Sequence, residues 1–125
     1  MANTDALYTQ FIADLESSKN SSYGETGIQL VNSLFNLLKG GFIFNNDNCD
    51  RLSRAMNYIC YTRINTYNYR RLTSGAIVNL KYIMEYILNN ENNINIPDIT
   101  LSYIIASPET YAIDHIIKQK TVSSK

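Results

Sequence analysis

The chain has 125 residues, of which 45% are hydrophobic and 18% are charged, and its 11 basic and 11 acidic side chains give a net charge of zero. A chain of this length forms one domain and buries a core without needing a disulfide or a metal, and its apolar fraction excludes a disordered protein. No apolar run reaches the ~18 residues of a membrane span, and residues 1–5 lack the basic and apolar regions of a secretory signal, so we expect a cytoplasmic protein, in a bacterium or a host cell, with no integral membrane segment.

The first helix is predicted from apolar spacing over residues 4–17. Leu7, Phe11, Ile12 and Leu15 recur there at helical intervals after the capping residue Thr4. The polar residues that follow are typical of a loop.

A second helix begins after Ser22, which has capping-box spacing to Glu25. It ends at Gly40 and Gly41, because glycine adopts the left-handed conformation of a helix C-terminus without a steric penalty. A wide apolar stripe predicts that this is the central core helix; its members are Ile28, Val31, Leu34, Phe35 and Leu38.

A short apolar link and an Asn-rich turn precede the third helix. The link, Phe42-Ile43-Phe44, is predicted to fold back onto the core. The turn and cap residues are Asn45, Asn46, Asp47 and Asn48. The third helix is predicted over residues 49–64, with a core face formed by Leu52, Ala55, Met56 and Ile59.

The second half of the chain begins with an ambiguous segment, which is followed by a clearly predicted fourth helix. Residues 67–71 fit a loop or a helix, whereas Thr73-Ser74-Gly75 predicts the start of a fourth helix. That helix has the clearest amphipathic pattern, formed by Ile77, Leu80, Ile83, Met84, Ile87 and Leu88.

The segment beyond the polar residues 89–93 is open between two structures. Residues 94–105 fit a helix that starts at Pro97-Asp98, with Leu101, Ile104 and Ile105 on one face, or an Ile-rich strand. Ser107-Pro108-Glu109 predicts the start of a last helix, because a cap, a first-turn proline and an acid stand in order.

The whole pattern predicts an all-α fold, a compact antiparallel bundle of five to six short helices. We expect a single helical domain over residues 1–125. Residues 1–90 would form the core bundle, residues 91–98 an Asn-rich loop and residues 99–120 a C-terminal helical segment.

The side-chain inventory argues against an enzyme and against a cofactor or metal site. The single histidine, His115, is next to Asp114, and adjacent residues of a helix do not face each other. Cys49 and Cys60 are predicted ~16 Å apart on one helix, too far for a disulfide, so we expect two free thiols. No glycine-rich phosphate loop is present, and the Cys and His residues lack zinc-site spacing.

Arginine is concentrated in one window of the chain. All five Arg lie within residues 51–71, which contain no Asp, Glu or Lys, so a neutral chain conceals one strongly basic segment. On the predicted third helix, two Arg and two Tyr fall on the side opposite the core. We define the Arg/Tyr stripe as Arg51, Arg54, Tyr58 and Tyr61, with Tyr67, Tyr69, Arg70 and Arg71 as its extension. Arg and Tyr dominate protein-binding hot spots, and interleaved basic and aromatic residues also suit nucleic acid.

A purely structural role for the same residues remains an alternative. Arg side chains often pair with acids of their own chain, and Tyr often lies at the rim of a core with its hydroxyl in water.

Several short patterns in the first ninety residues are similar to those of a known protein family. They are Leu7-Tyr8, Ser18-Lys19-Asn20 before Tyr23, Leu37-Leu38-Lys39-Gly40, Phe42-Ile43-Phe44, and Arg51-Leu52 followed by Asn57-Tyr58-Ile59. In these the chain resembles the immunity proteins that protect producers of class IIa bacteriocins of the enterocin A type. The resemblance implies a non-catalytic cytoplasmic four-helix bundle that blocks pore formation at a membrane-embedded receptor. Residues 91–125 have no counterpart in it, and no residue role carries over.

We therefore predict a non-enzymatic helical interaction protein that blocks or sequesters a protein partner. It would be an immunity-type protein or a viral or phage antagonist of a host factor, and the abundant Asn, Ile and Tyr, which have AT-rich codons, fit either source. The alternatives are an RNA- or DNA-binding protein that uses the Arg/Tyr stripe, also as a homodimer, and a structural subunit of a viral assembly.

Overall fold

Five α-helices make up the regular structure of the residues that can be described, which are 4–19, 25–61, 73–90 and 92–106 in this computed structural model. They are α1 (Thr4–Ser18), α2 (Glu25–Lys39), α3 (Cys49–Met56), α4 (Ser74–Asn90) and α5 (Asp98–Ala106). A π-helical segment, Asn57–Tyr61, continues directly from α3. No strand occurs in these four ranges, so the all-α prediction is confirmed.

The helix α2 lies at the centre of the packing. It packs against both α1 and α4 and also contacts the π-helical segment, while α5 packs against α3 and the π-helical segment. The largest fully buried side chains come from all five α-helices and from the link between α2 and α3; they are Phe11, Leu30, Leu34, Leu37, Phe44, Leu52, Met56, Leu80, Ile83, Met84, Ile87 and Ile104. Each such side chain contributes roughly 1.5–3 kcal/mol through removal of apolar surface from water, so this shared core holds the helices together.

The C-terminus of α2 has the geometry expected of the two glycines. Gly41 has a φ of 98°. The Gly41 N–H donates to the Leu38 carbonyl at 3.1 Å, and the Phe42 N–H donates to the Leu37 carbonyl at 3.2 Å. These two bonds form a Schellman motif, which satisfies the last carbonyls of the helix and turns the chain toward the core.

Alanine substitutions at Gly27, inside α2, and at Gly41, after its C-terminus, are expected to change the free energy of unfolding in opposite directions. Gly41→Ala should lower the free energy of unfolding by about 1 kcal/mol, because a β-carbon is disfavoured at positive φ. Gly27→Ala should raise it by about 0.5–1 kcal/mol, because Gly27 is inside the helix and an added β-carbon meets no atom within 4 Å. Urea denaturation of the two variants checks both signs. A stabilising Gly41→Ala would show that the turn does not need its left-handed residue.

The apolar link after α2 divides into buried and exposed side chains. Phe44 is only 2% exposed and meets Phe11 edge-on at 6.1 Å between ring centroids, and Phe42 stacks on Tyr8 at 4.9 Å. Ile43 between them is 76% exposed. The prediction that the link folds onto the core is therefore right for the two Phe and wrong for Ile43, because successive side chains of an extended segment point to opposite sides.

The Asn-rich turn before α3 is built by side-chain hydrogen bonds. Asn48 precedes α3 but makes no side-chain cap bond to it. Its Oδ1 instead accepts the Asn45 N–H at 2.7 Å, while Asn46 Oδ1 accepts the Asn95 N–H at 3.0 Å. The Cys49 thiol donates to the Asn95 carbonyl at 3.3 Å. The turn is thus tied to the loop before α5.

Both cysteines are buried free thiols, as predicted. Cys49 begins α3, and Cys60 lies in the π-helical segment. The single α-helix predicted over residues 49–64 is wrong over Asn57–Tyr61, where the helix widens to the π form, and residues 62–64 lie outside the described residues.

The open choice for residues 94–105 is settled as a helix. The Leu101 N–H donates to the Pro97 carbonyl at 3.1 Å, which places Pro97 at the N-terminus of α5 as the helical alternative required. Ile104 is fully buried and Leu101 is partly buried, but Ile105 is exposed. Ile105 was predicted on the same face as Ile104. That prediction is wrong, because the side of α5 that packs against the rest of the protein includes Ile104 but not Ile105.

The N-terminus of α4 agrees with its predicted start. Thr73 Oγ1 accepts the Ala76 N–H at 3.2 Å, so Thr73 caps the helix. The capping box at Ser22 and the helix predicted from Ser107 lie outside the described residues, as does His115.

Candidate functional site

The two arginines of α3 lie on its solvent side. The Arg51 side chain is 43% exposed and the Arg54 side chain is 47% exposed, whereas Leu52 and Met56 are fully buried. Arg51 and Arg54 are therefore placed where a partner can reach them.

Of the tyrosines in the Arg/Tyr stripe the structure describes one side chain, that of Tyr58, and it does not share the exposure of the arginines. Tyr58 is only partly exposed and packs against the core, so its predicted place on an exposed stripe is wrong. The physical reason is the π-helical segment, which begins at Asn57: its wider turns break a projection made at about 100° per residue. Of Tyr61 the structure describes the backbone, which closes that segment. Tyr67, Tyr69, Arg70 and Arg71 lie outside the described residues.

The structure brings a third cation and a carboxylate to the two arginines. Lys19, just after α1, contacts Glu16 with 2.9 Å between Nζ and Oε2. Arg54 Nη2 lies 3.8 Å from Glu16 Oε1, and Arg51 Nη1 lies 3.9 Å from Asp50 Oδ1. We call Lys19, Arg51 and Arg54 the basic cluster. The contacts of its two arginines with carboxylates are longer than a hydrogen bond.

Lys19 and Glu16 were missed by the sequence analysis. They stand more than thirty positions before the arginines and join them only because α1 packs against α3. No local pattern of the sequence signals such a meeting.

The basic cluster is not needed to hold the fold together. Its three cations and both carboxylates are about half exposed, and water and salt screen such pairs strongly. Substitutions here should therefore alter binding more than folding.

The charge of Glu16 gives a direct test of the cluster. The hydrogen bond from Lys19 lowers the pKa of Glu16 below its ordinary 4.5. Desolvation opposes this and raises the pKa, while the charges of Lys19, Arg54 and Arg51 lower it further. Because the pKa is depressed in the folded state, the linked stabilisation is present above the unfolded pKa and is lost as the pH falls through the folded one.

We expect Lys19→Ala to raise the pKa of Glu16 toward its ordinary value, because the strongest stabiliser of the carboxylate is removed. A carbon-detected NMR titration of the side-chain carboxyl measures this. Lys81→Ala, which changes a lysine of α4, is the matched control and should leave the Glu16 titration unchanged. An unmoved Glu16 pKa in Lys19→Ala would show that the ion pair does not persist in solution.

Two shallow grooves lie on other surfaces. One, of about 360 Å³, runs between α1 and α2 and is lined by Leu7, Gln10, Asp14, Gln29, Asn32, Ser33 and Asn36. The other, of about 230 Å³, lies along α4 and is lined by Tyr82, Glu85, Tyr86, Asn89 and Asn90. Neither contains the basic cluster.

Neither a metal-binding cluster nor a membrane-spanning helix is found among the described residues. The described residues contain no group of three or more His, Cys, Asp or Glu that could hold a metal ion. Among the helices that the structure describes, none combines the length and the apolar character that crossing a bilayer requires.

Comparison with known proteins gives no relative: no family model, no curated protein and no solved structure matches the chain.

Proposed function

We propose that this protein is a non-enzymatic helical interaction protein that blocks or sequesters a protein partner, and that the basic cluster is part of its contact surface. The observation that carries the proposal is the cluster itself. Three cations from two helical regions surround Glu16, and both guanidinium groups are nearly half exposed at 3.8 Å or more from their nearest carboxylates.

The chemistry of arginine indicates an acidic partner surface. A guanidinium group offers a planar set of donors that fits a carboxylate bidentately, which gives both attraction and orientation. Arg51 and Arg54 are on successive turns of one helix, so they present two such groups side by side. Residues 62–72, which follow the π-helical segment along the chain, contain three more arginines.

A paired capture experiment tests the proposal. The full chain, Arg51→Gln/Arg54→Gln and Lys81→Gln are each used as bait in cell extract of the source organism, with quantitative mass spectrometry. We expect one acidic partner to be retained by the wild type and by Lys81→Gln and to fall at least about tenfold with the double variant, since truncating one partner of a buried hydrogen-bonded charge pair costs about 2–5 kcal/mol. Equal recovery by a folded double variant would remove this surface from consideration.

Tyr58 is left intact in this design. Because Tyr58 packs against the core, Tyr58→Ala would weaken the fold and the contact together, and the two effects would not be separable.

Nucleic-acid binding is the second candidate, favoured by the same three clustered cations. Its test is a titration with labelled duplex and single-stranded RNA and DNA at low and moderate salt. Phosphate contacts release counterions, so affinity for nucleic acid falls steeply as salt rises. We expect no micromolar, salt-sensitive binding. If it occurs and is lost in Arg51→Gln/Arg54→Gln, nucleic acid replaces the protein partner.

The immunity-type form of the proposal rests on the resemblance of the first ninety residues. Its test is expression in a bacterium sensitive to a class IIa bacteriocin. Survival should exceed that of a vector control if the chain blocks pore formation. If the protein is expressed and the bacterium stays equally sensitive to the bacteriocin, the remaining form of the proposal is a viral or phage antagonist of a host factor.

A further inference from the structure

A second surface, on the outer side of α4 and the end of α2, carries exposed apolar groups. Val78 is 62% exposed and Tyr82 is 37% exposed, one turn apart on α4. The Tyr82 ring meets the Phe35 ring of α2 edge-on, with 5.3 Å between centroids. We call Phe35, Lys39, Val78, Tyr82 and Glu85 the α4 face. Its apolar centre is open to solvent.

Opposite charges flank this apolar centre. The Lys39 ammonium lies 5.0 Å from the centroid of the Tyr82 ring and 6.0 Å from that of Phe35, on the α2 side. Glu85 follows Tyr82 by three positions and lines the same groove as Tyr82. Around the α4 axis, at about 100° per residue, Glu85 projects on the side of Tyr82 away from α2.

Neither charge has an opposite partner nearby. Among the described residues, neither Lys39 nor Glu85 takes part in an ion pair, and Lys81, one turn before Glu85, does not come within 4 Å of it. The face thus presents a cation, an aromatic centre and an anion in that order.

This order suits a two-fold interface. In a dimer with two-fold symmetry the same patch faces itself, so a cation on one side of the axis can meet an anion from the other protomer. The α4 face is self-complementary about Tyr82.

We propose that the α4 face binds a second copy of this chain, with Tyr82 near the two-fold axis and Lys39 of one protomer against the partner's Glu85. The α4 face has five defined side chains per protomer, far fewer than the roughly 20–30 residues a side of a stable interface, so we expect a weak dimer with a dissociation constant in the micromolar range. It uses a surface other than the basic cluster and does not depend on the proposed function.

Charge reversal tests the pairing. Sedimentation velocity of the full chain from roughly 5 to 500 µM should show a concentration-dependent monomer–dimer equilibrium. Lys39→Glu alone and Glu85→Lys alone should each raise the dissociation constant at least about tenfold, because like charges then face each other twice per dimer.

Mixing the two single variants gives the sharpest result. An equimolar mixture of Lys39→Glu and Glu85→Lys pairs opposite charges at both contacts and should dimerise within about threefold of the wild type, as should the doubly reversed chain. Circular dichroism confirms that each variant keeps its helices, and Asp47→Lys, a charge reversal in the exposed turn before α3, should leave association unchanged.

Three results would overturn the proposal. They are a wild type that stays monomeric at the highest concentration, a mixture that fails to dimerise although both variants are folded, and association that continues past the dimer. The last would indicate a head-to-tail contact, as in an assembly subunit, because a two-fold contact closes on itself.

Discussion

Phe44→Ala is expected to lower the free energy of unfolding by about 3–5 kcal/mol, the largest effect of any single substitution considered for this protein. Phe44 is 2% exposed, and its ring meets both Phe11 and Phe42. Its backbone N–H also donates to the Tyr86 hydroxyl at 3.2 Å, which fixes the link against α4. Removing the ring leaves a cavity in the core that these anchored neighbours cannot fill. Urea denaturation measures the loss.

Ile43→Ala is the matched control one position earlier. Ile43 is 76% exposed, so its truncation should change the free energy of unfolding by less than about 0.5 kcal/mol. Comparable losses at both positions would mean that the link adopts another register in solution. A domain of this kind has a total stability of only about 5–15 kcal/mol, so the contrast between the two variants is large.

Thr100→Val is expected to cost about 1–3 kcal/mol, although valine has nearly the same shape as threonine. Thr100 on α5 is fully buried, and its hydroxyl donates to Asn57 Oδ1 at 2.8 Å. Asn57 is the first residue of the π-helical segment. Without the donor, a partly buried carbonyl loses its hydrogen bond and α5 loses a polar anchor.

Denaturation combined with hydrogen exchange measures this prediction. The amides of α5 should exchange faster in Thr100→Val, whereas those of α2 should follow only the global loss. Ser102→Ala is the control, because Ser102 is exposed and its hydroxyl donates to the Ile99 carbonyl of its own helix. In a double-mutant cycle with Asn57→Leu, the two effects should not add. Additive losses would show that the Thr100–Asn57 bond does not couple the two segments.

The candidate site was only partly predictable. The exposure of Arg51 and Arg54 follows from the periodicity of α3, which holds through Met56. The position of Tyr58 does not follow, because the change from α- to π-helix at Asn57 has no signature in the residue types. The α4 face was missed for a related reason: Val78 and Tyr82 lie outside the predicted core pattern, and nothing in that pattern pairs them with Phe35 or Lys39.

The sequence by itself determined where four of the five described helices form and where most of these four end, whereas residues 94–105 stayed open between a helix and a strand. Apolar spacing, the Thr73 cap and the glycines after Lys39 act through neighbouring residues, so a local pattern carries that information. Only the tertiary structure decided which of two adjacent apolar residues is buried, as with Ile43 and Phe44, and which distant charges meet, as with Glu16 and Arg54. Those outcomes depend on how whole helices pack against each other, and packing energy belongs to pairs of surfaces that are far apart in the chain.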